Sequence, residues 1–151
     1  MIIGTVKEVK NNEFRVGLTP SSVKEYIHHG HSVVVEKNAG VNSGFTDKDY
    51  ILAGAKILNT ADEVWQKSEM IVKVKEPLES EFKFLREELL LYTYLHLAAN
   101  EPLTRALIES KTQSIAYETI ELEDGSLPCL KPMSEVAGRL GAIEGAKYLE
   151  K

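Results

Sequence analysis

The sequence has little cysteine, no long apolar run and no excess of positive charge, and each shortage excludes a class of protein. Cys129 is the only cysteine among 151 residues. A disulfide framework and a cysteine-based zinc site are therefore excluded, and a reducing compartment is indicated. No apolar stretch approaches the roughly 20 residues of a membrane-spanning helix. The net charge of −5 offers no basic surface for nucleic acid, so neither a membrane nor a nucleic acid is an expected partner.

What is present is typical of a globular domain. Hydrophobic residues make up 43% of the chain and charged residues 27%, and a chain of this length is about one domain. The N-terminus becomes charged directly after residues 2–6 (IIGTV), which is not the order of a secretory signal peptide. We therefore expect a cytoplasmic protein.

Apolar, β-branched runs alternate with helical patterns along most of the chain. This alternation predicts an α/β fold with a doubly wound, mostly parallel sheet, Rossmann-like or flavodoxin-like, flanked by helices. Thr19 and Pro20 predict the start of the first helix, which Gly30 ends. The expected strands are residues 2–6, 32–36, 55–58, 70–74, 89–92 and 114–117.

A long C-terminal helix is predicted from Ser134, which would cap it, to the end of the chain. Gly138, Gly141 and Gly145 lie inside this pattern with the spacing G-x-x-G-x-x-x-G and without a preceding strand. They do not match a dinucleotide-binding turn, and we expect no cofactor-binding residue in this chain. The helix lacks a C-cap glycine, so the chain is expected to be cut there or to continue in a partner.

Three candidate functional residues lie either directly after a predicted strand or in the loop after the first strand. Functional groups of open α/β sheets gather beyond the carboxyl ends of the strands, where Lys75 and His96 are expected. Arg15 lies in the loop after the first strand, and an arginine there can bind a carboxylate with two parallel hydrogen bonds. Each has a structural alternative: a solvated arginine, a lysine extending to water, and a hydrogen-bonded core histidine. No metal site is predicted, because His28, His29 and His31 are poorly spaced for one.

Five blocks resemble the alanine dehydrogenases when read in order. They are VKE at 6–8, EFRVGLTP at 13–20, VKVKEP at 72–77, YLHLA at 94–98 and PMSEVAG at 132–138. The likeness covers essentially the whole chain and is with the N-terminal, substrate-binding portion of that family. It implies a division into a substrate-binding domain at 1–133 and, at 134–151, a helix connecting to an NAD-binding domain in cis.

The resemblance implies roles for five residues. Arg15 and Lys75 would hold the carboxylate of L-alanine or pyruvate, Lys75 and His96 would be catalytic, and Tyr94 and Met133 would lie near the substrate. NAD would be bound mainly by a domain absent from this chain. The isolated chain is therefore expected to be inactive. The family forms homohexamers, so a homo-oligomer is the expected assembly.

Two other functions fit the same blocks. The N-terminal domain of a proton-pumping transhydrogenase shares the pattern around Arg15, and the chain could also be a non-enzymatic module that binds small carboxylates. Lys75 and the tyrosine-leucine-histidine run at 94–96 favour the dehydrogenase.

Overall fold

A computed structural model describes residues 1–150 of the chain and contains a six-stranded sheet. The strands are short, and the central ones at 2–5, 32–36 and 70–72 are largely buried and rich in β-branched residues, as is typical of parallel sheets. Their bounds are Ile2–Thr5 (β1), Ser32–Glu36 (β2), Lys56–Leu58 (β3), Met70–Val72 (β4), Leu90–Thr93 (β5) and Gln113–Ala116 (β6).

The strand order across the sheet is β3-β2-β1-β4-β5-β6. All strands are parallel, with registers such as Ile3 opposite both Val33 and Met70. This confirms the predicted doubly wound sheet and gives it the strand order of a Rossmann fold. From β1 the chain adds β2 and β3 on one side of the sheet, and from β4 it adds β5 and β6 on the other side. The direction in which strands are added therefore reverses between the neighbours β1 and β4. The crevice beyond their carboxyl ends is where ligands of such sheets bind.

Helices connect most of the strands, and local capping signals start them. The helices are Pro20–His28 (α1), Asp47–Leu52 (α2), Ala61–Lys67 (α3), Glu101–Ser110 (α4) and Lys131–Leu149 (α5). The hydroxyls of Thr19, Thr46 and Thr60 each accept a hydrogen bond from a backbone N–H of the first turn. Such caps satisfy donors that the helix itself leaves unpaired. The predicted cap at Thr19 is therefore confirmed.

The core lies between the sheet and the helices. Val23 of α1 and Val64 and Trp65 of α3 have no exposed surface. Ile108 has the same helical spacing as Leu103 and Leu107 in α4, but it is 70% exposed whereas those two are buried. Between β4 and β5 the chain forms a 3-10 helix at Glu79–Phe84.

The chain divides into two compact units, residues 1–115 and the remainder from residue 116. The second unit contains a 3-10 turn at Tyr117–Thr119 and the helix α5. The prediction that Ser134 caps this helix is wrong, because α5 begins at Lys131 with Pro132 in its first turn. Proline is well tolerated there since its missing N–H would have no partner anyway. Among the residues described, no helix is long and apolar enough to cross a membrane.

Candidate functional site

The loop after β1, which contains Arg15, passes close to the carboxyl end of β4 at Gly17. Gly17 allows the close approach: a Cβ added there would lie 2.3 Å from the carbonyl oxygen of Val72 and 2.9 Å from Oγ1 of Thr5. Oγ1 of Thr5 in turn donates a hydrogen bond to the Val72 carbonyl oxygen at 2.8 Å. The loop is therefore held at the point where the strand order reverses, and Arg15 lies two residues before this contact.

Arg15 is oriented by Glu13 of the same loop. Its guanidinium donates hydrogen bonds from Nε and Nη2 to the two carboxylate oxygens of Glu13, at 2.8 and 2.7 Å. The pKa of the Glu13 carboxyl is lowered, chiefly by these bonds from Arg15 and further by the charge of Lys75. The pKa of Arg15 is raised, chiefly by Glu13 and to a smaller extent by Tyr94. Lys75 therefore lies close enough to Glu13, and Tyr94 close enough to Arg15, to affect the pKa of that residue.

Buried charged side chains hold the backbone of the segment after β4 in place. Lys73 has no exposed surface, and its Nζ lies 2.8 Å from Oε1 of Glu81 and 3.4 Å from Oε2 of Glu8. Oε1 of Glu8 accepts hydrogen bonds from the backbone N–H groups of Val74, at 2.6 Å, and Lys75, at 3.4 Å. A buried pair of this kind stabilises little but is costly to break. The cluster therefore fixes the backbone that carries Lys75.

His96 follows β5 and stands in an unusual backbone conformation. Its φ is 50° and its ψ 38°, in the left-handed region, and its side chain is about half exposed. Nδ1 lies 3.1 Å from Oε2 of Glu76, and the ring stacks against that of Tyr94 with centroids 6.1 Å apart. The alternative of a core histidine is thus wrong for His96, because its side chain is too exposed.

The structure gathers four of the five predicted site residues within the first unit. Arg15 follows β1, Lys75 follows β4, and Tyr94 and His96 follow β5, the next strand across the sheet. We call these four residues the strand-end cluster. Met133 lies in α5, in the second unit, and its role remains a prediction.

Sequence reasoning did not single out the carboxylates that support the cluster. Glu13 and Glu76 bind Arg15 and His96, and Glu8 binds the backbone at Lys75. Glu76 comes directly after Lys75, so a parallel sheet would have suggested it as a neighbour of the histidine. Glu8 is separated from Val74 by 66 residues, and no local pattern signals such a contact.

The glycines of α5 do not form a nucleotide-binding turn. A Cβ added to Gly138, Gly141 or Gly145 would meet nothing within 4 Å, and all three lie within the helix rather than between a strand and a helix. These three glycines therefore do not form the strand-to-helix turn that binds the pyrophosphate of NAD in a Rossmann fold.

The fold and the strand-end cluster define the class: an α/β domain of Rossmann strand order with charged residues collected at its switch point. The matching sequence family is described as "Alanine dehydrogenase/PNT, N-terminal domain", and residues 4–137 match it. The chain belongs to this family.

Individual relatives agree with the family. An alanine dehydrogenase of Staphylococcus epidermidis is 57% identical over all 151 residues, which are 40% of its length. A solved structure titled L-alanine dehydrogenase is 51% identical, with a TM-score of 0.93 over 99% of this chain and 41% of that one. A transhydrogenase from Sinorhizobium meliloti is 30% identical, with a TM-score of 0.73 over 78% of this chain and 34% of that one. The chain thus spans about two fifths of the length of the curated relatives it matches.

Proposed function

We propose that this chain is the substrate-binding part of an NAD-dependent L-alanine dehydrogenase. Such an enzyme converts L-alanine, NAD and water to pyruvate, ammonia and NADH, and the reaction is reversible. One observation carries the proposal: Arg15, Lys75 and His96 follow three neighbouring parallel strands in a chain that is similar to alanine dehydrogenases along its whole length.

Each residue of the strand-end cluster has a chemical task in this proposal. Arg15 binds the carboxylate of pyruvate or alanine, since a guanidinium presents parallel N–H groups that match it. The Lys75 ammonium binds the same carboxylate and polarises the keto oxygen. His96 donates or accepts the proton at that oxygen or at the attacking water, a task suited to an imidazole near neutral pH. Tyr94 and Met133 contact the substrate.

NAD supplies hydride acceptance when bound, and we propose that a domain in cis outside these 151 residues binds it. The family resemblance assigns NAD binding to that domain, so we give the 151 residues no part in hydride transfer. The isolated chain is then inactive. The family resemblance also supports a cytoplasmic location and a homohexamer. Light scattering of the natural protein would test the homohexamer.

Two other functions predict different assay results. A transhydrogenase domain would support hydride exchange between two nicotinamide nucleotides, and the match to one at 30% identity is weaker than that to the dehydrogenases. A carboxylate-binding module would bind pyruvate without turnover in any context.

The deciding experiment is a spectrophotometric assay of the natural protein that carries these residues. We expect L-alanine-dependent reduction of NAD, abolished in His96→Ala, and no turnover by the isolated 151-residue chain. Hydride exchange between nucleotides without alanine oxidation, or no turnover at all, would overturn the proposal. Turnover by the isolated chain would overturn the proposal that a domain outside these 151 residues binds NAD.

A further inference from the structure

Glu76 links two residues that the proposed mechanism does not otherwise connect. Its side chain is only 8% exposed, and its Oε2 lies 3.1 Å from Nδ1 of His96. Its other oxygen, Oε1, accepts a hydrogen bond from Nζ of Lys10 at 2.5 Å. Lys10 belongs to the loop after β1 and His96 to the segment after β5. A largely buried carboxylate thus joins the two sides of the switch point.

The backbone at His96 indicates that the ring's orientation is held by its surroundings. A left-handed conformation costs a residue with a side chain roughly 1 kcal/mol or more. Burial does not compensate for it, because the side chain of His96 is 49% exposed. The ring instead has a polar contact with Glu76 on one nitrogen and a stacked neighbour in Tyr94, with the ring planes 28° apart. These contacts fix both the direction and the rotation of the imidazole.

The chemistry of the pair selects one tautomer of the neutral ring. An ionised carboxylate only accepts hydrogen bonds, so the nitrogen that faces it must carry the proton. Burial acts to raise the pKa of Glu76, but the pKa is lowered because the hydrogen bond from Lys10, a backbone hydrogen bond, the charge of Lys10 and, least of all, the hydrogen bond with His96 together outweigh burial. Glu76 therefore stays ionised at neutral pH. The proton of neutral His96 then resides on Nδ1, and Nε2 carries the lone pair.

We propose that Glu76 is a positioning residue for His96. It holds the imidazole in the Nδ1–H tautomer, so that Nε2 is the nitrogen that exchanges a proton with the substrate, and Lys10 keeps Glu76 in its acceptor form. The role in catalysis rests on the proposed function, whereas the tautomer does not.

The tautomer is read directly by NMR of the histidine ring nitrogens in the 151-residue chain, at a pH where the ring is neutral. The wild type should show the Nδ1–H pattern for His96, and Glu76→Ala should lose it in favour of a mixture of tautomers. Glu79→Ala is the matched control, because Glu79 is exposed, lies three residues along the same segment and should leave the spectrum unchanged. An Nε2–H pattern in the wild type, or an unchanged pattern in Glu76→Ala, would overturn the proposal.

A second variant covers the case in which the alanine variant does not fold. Glu76→Gln keeps the shape of the side chain and an acceptor oxygen but removes the charge. It should retain the Nδ1–H pattern only in part, because a neutral acceptor forms the weaker hydrogen bond. Full retention of the wild-type pattern would show that the charge of Glu76 does not select the tautomer.

Kinetics of the natural protein test the catalytic consequence. Glu76→Ala should lower kcat about a hundredfold, the scale of a general acid-base contribution, and leave KM for pyruvate almost unchanged because Arg15 and Lys75 still bind it. A raised KM with an unchanged kcat would overturn the positioning role. If the wild-type protein has no alanine dehydrogenase activity, the proposed function fails, and the ring-nitrogen spectra still decide the contact between Glu76 and His96.

Discussion

The guanidinium of Arg15 is already paired with the carboxylate of Glu13 through two side-chain hydrogen bonds of 2.7 and 2.8 Å. A third bond, from the backbone N–H of Arg15 to the same carboxylate at 3.0 Å, closes the arrangement. The Nε edge of the guanidinium is thus committed to an internal partner. We expect Glu13 to hold the guanidinium in the orientation in which it binds a substrate carboxylate.

Glu13→Gln should therefore weaken pyruvate binding. Loss of a charge-assisted bond loosens the guanidinium, and about 1 kcal/mol corresponds to a roughly fivefold higher Kd. Titration of pyruvate into the chain by calorimetry measures the effect, with Glu88→Gln as an exposed control in the same unit. Tighter binding by Glu13→Gln would mean that Glu13 competes with the substrate for Arg15 rather than orienting it.

The buried position of Glu8 predicts how stability depends on pH. Burial raises the pKa of Glu8 above its ordinary value of 4.5, although Lys73 and two backbone N–H groups oppose the rise. Between 4.5 and the raised pKa the folded chain binds more protons than the unfolded chain, so stability falls as pH rises through this window. Above the raised pKa the loss is complete.

Glu8→Gln should remove this part of the pH dependence while keeping an oxygen for the N–H of Val74. Urea unfolding of both proteins from about pH 4 to about pH 8 gives the comparison. Glu36 also has a pKa raised by burial, but both proteins share it and its effect cancels in the difference. If the free energy of unfolding changed with pH in the same way in both proteins, a raised pKa at Glu8 would be contradicted.

Gly17 and Gly138 should respond in opposite ways to alanine. At Gly17 the new Cβ would meet the Val72 carbonyl oxygen, a backbone atom, and we expect a loss of roughly 2 kcal/mol of stability together with weaker pyruvate binding. At Gly138, inside α5, a Cβ meets nothing within 4 Å, and alanine should gain about 0.5 to 1 kcal/mol. Urea unfolding measures both. A Gly17→Ala chain of wild-type stability would contradict the close approach.

Much of the fold was predictable because its signals are local. The run at residues 32–36 is β-branched and bounded by polar residues, and the structure has β2 at Ser32–Glu36 as predicted. Thr19 followed by Pro20 predicted the start of α1 for a similarly local reason. Arg15, Lys75 and His96 could be assigned to one edge because all strands of the sheet are parallel and their carboxyl ends coincide.

What the sequence did not reveal depends on distant contacts or on competing local signals. A lysine at the end of a strand usually extends to water, but Lys73 is buried because two carboxylates from other segments surround it. Ser134 looked like a cap, yet Pro132 already fits the first turn of a helix that begins at Lys131. Ile108 matched the helical spacing, but nothing local indicates that α4 turns this position to solvent.

The most direct test is to titrate pyruvate into the 151-residue chain and to measure binding by amide NMR and by calorimetry. We predict shifts centred on residues 15, 75 and 96. Arg15→Ala should raise Kd roughly thirtyfold, equivalent to about 2 kcal/mol for a bond between charged groups. Arg105→Ala, at an exposed arginine paired with Glu101 in α4, should leave Kd unchanged. Equal affinities of the wild type and Arg15→Ala, or shifts away from the strand-end cluster, would contradict the proposal that these strand ends form a carboxylate site.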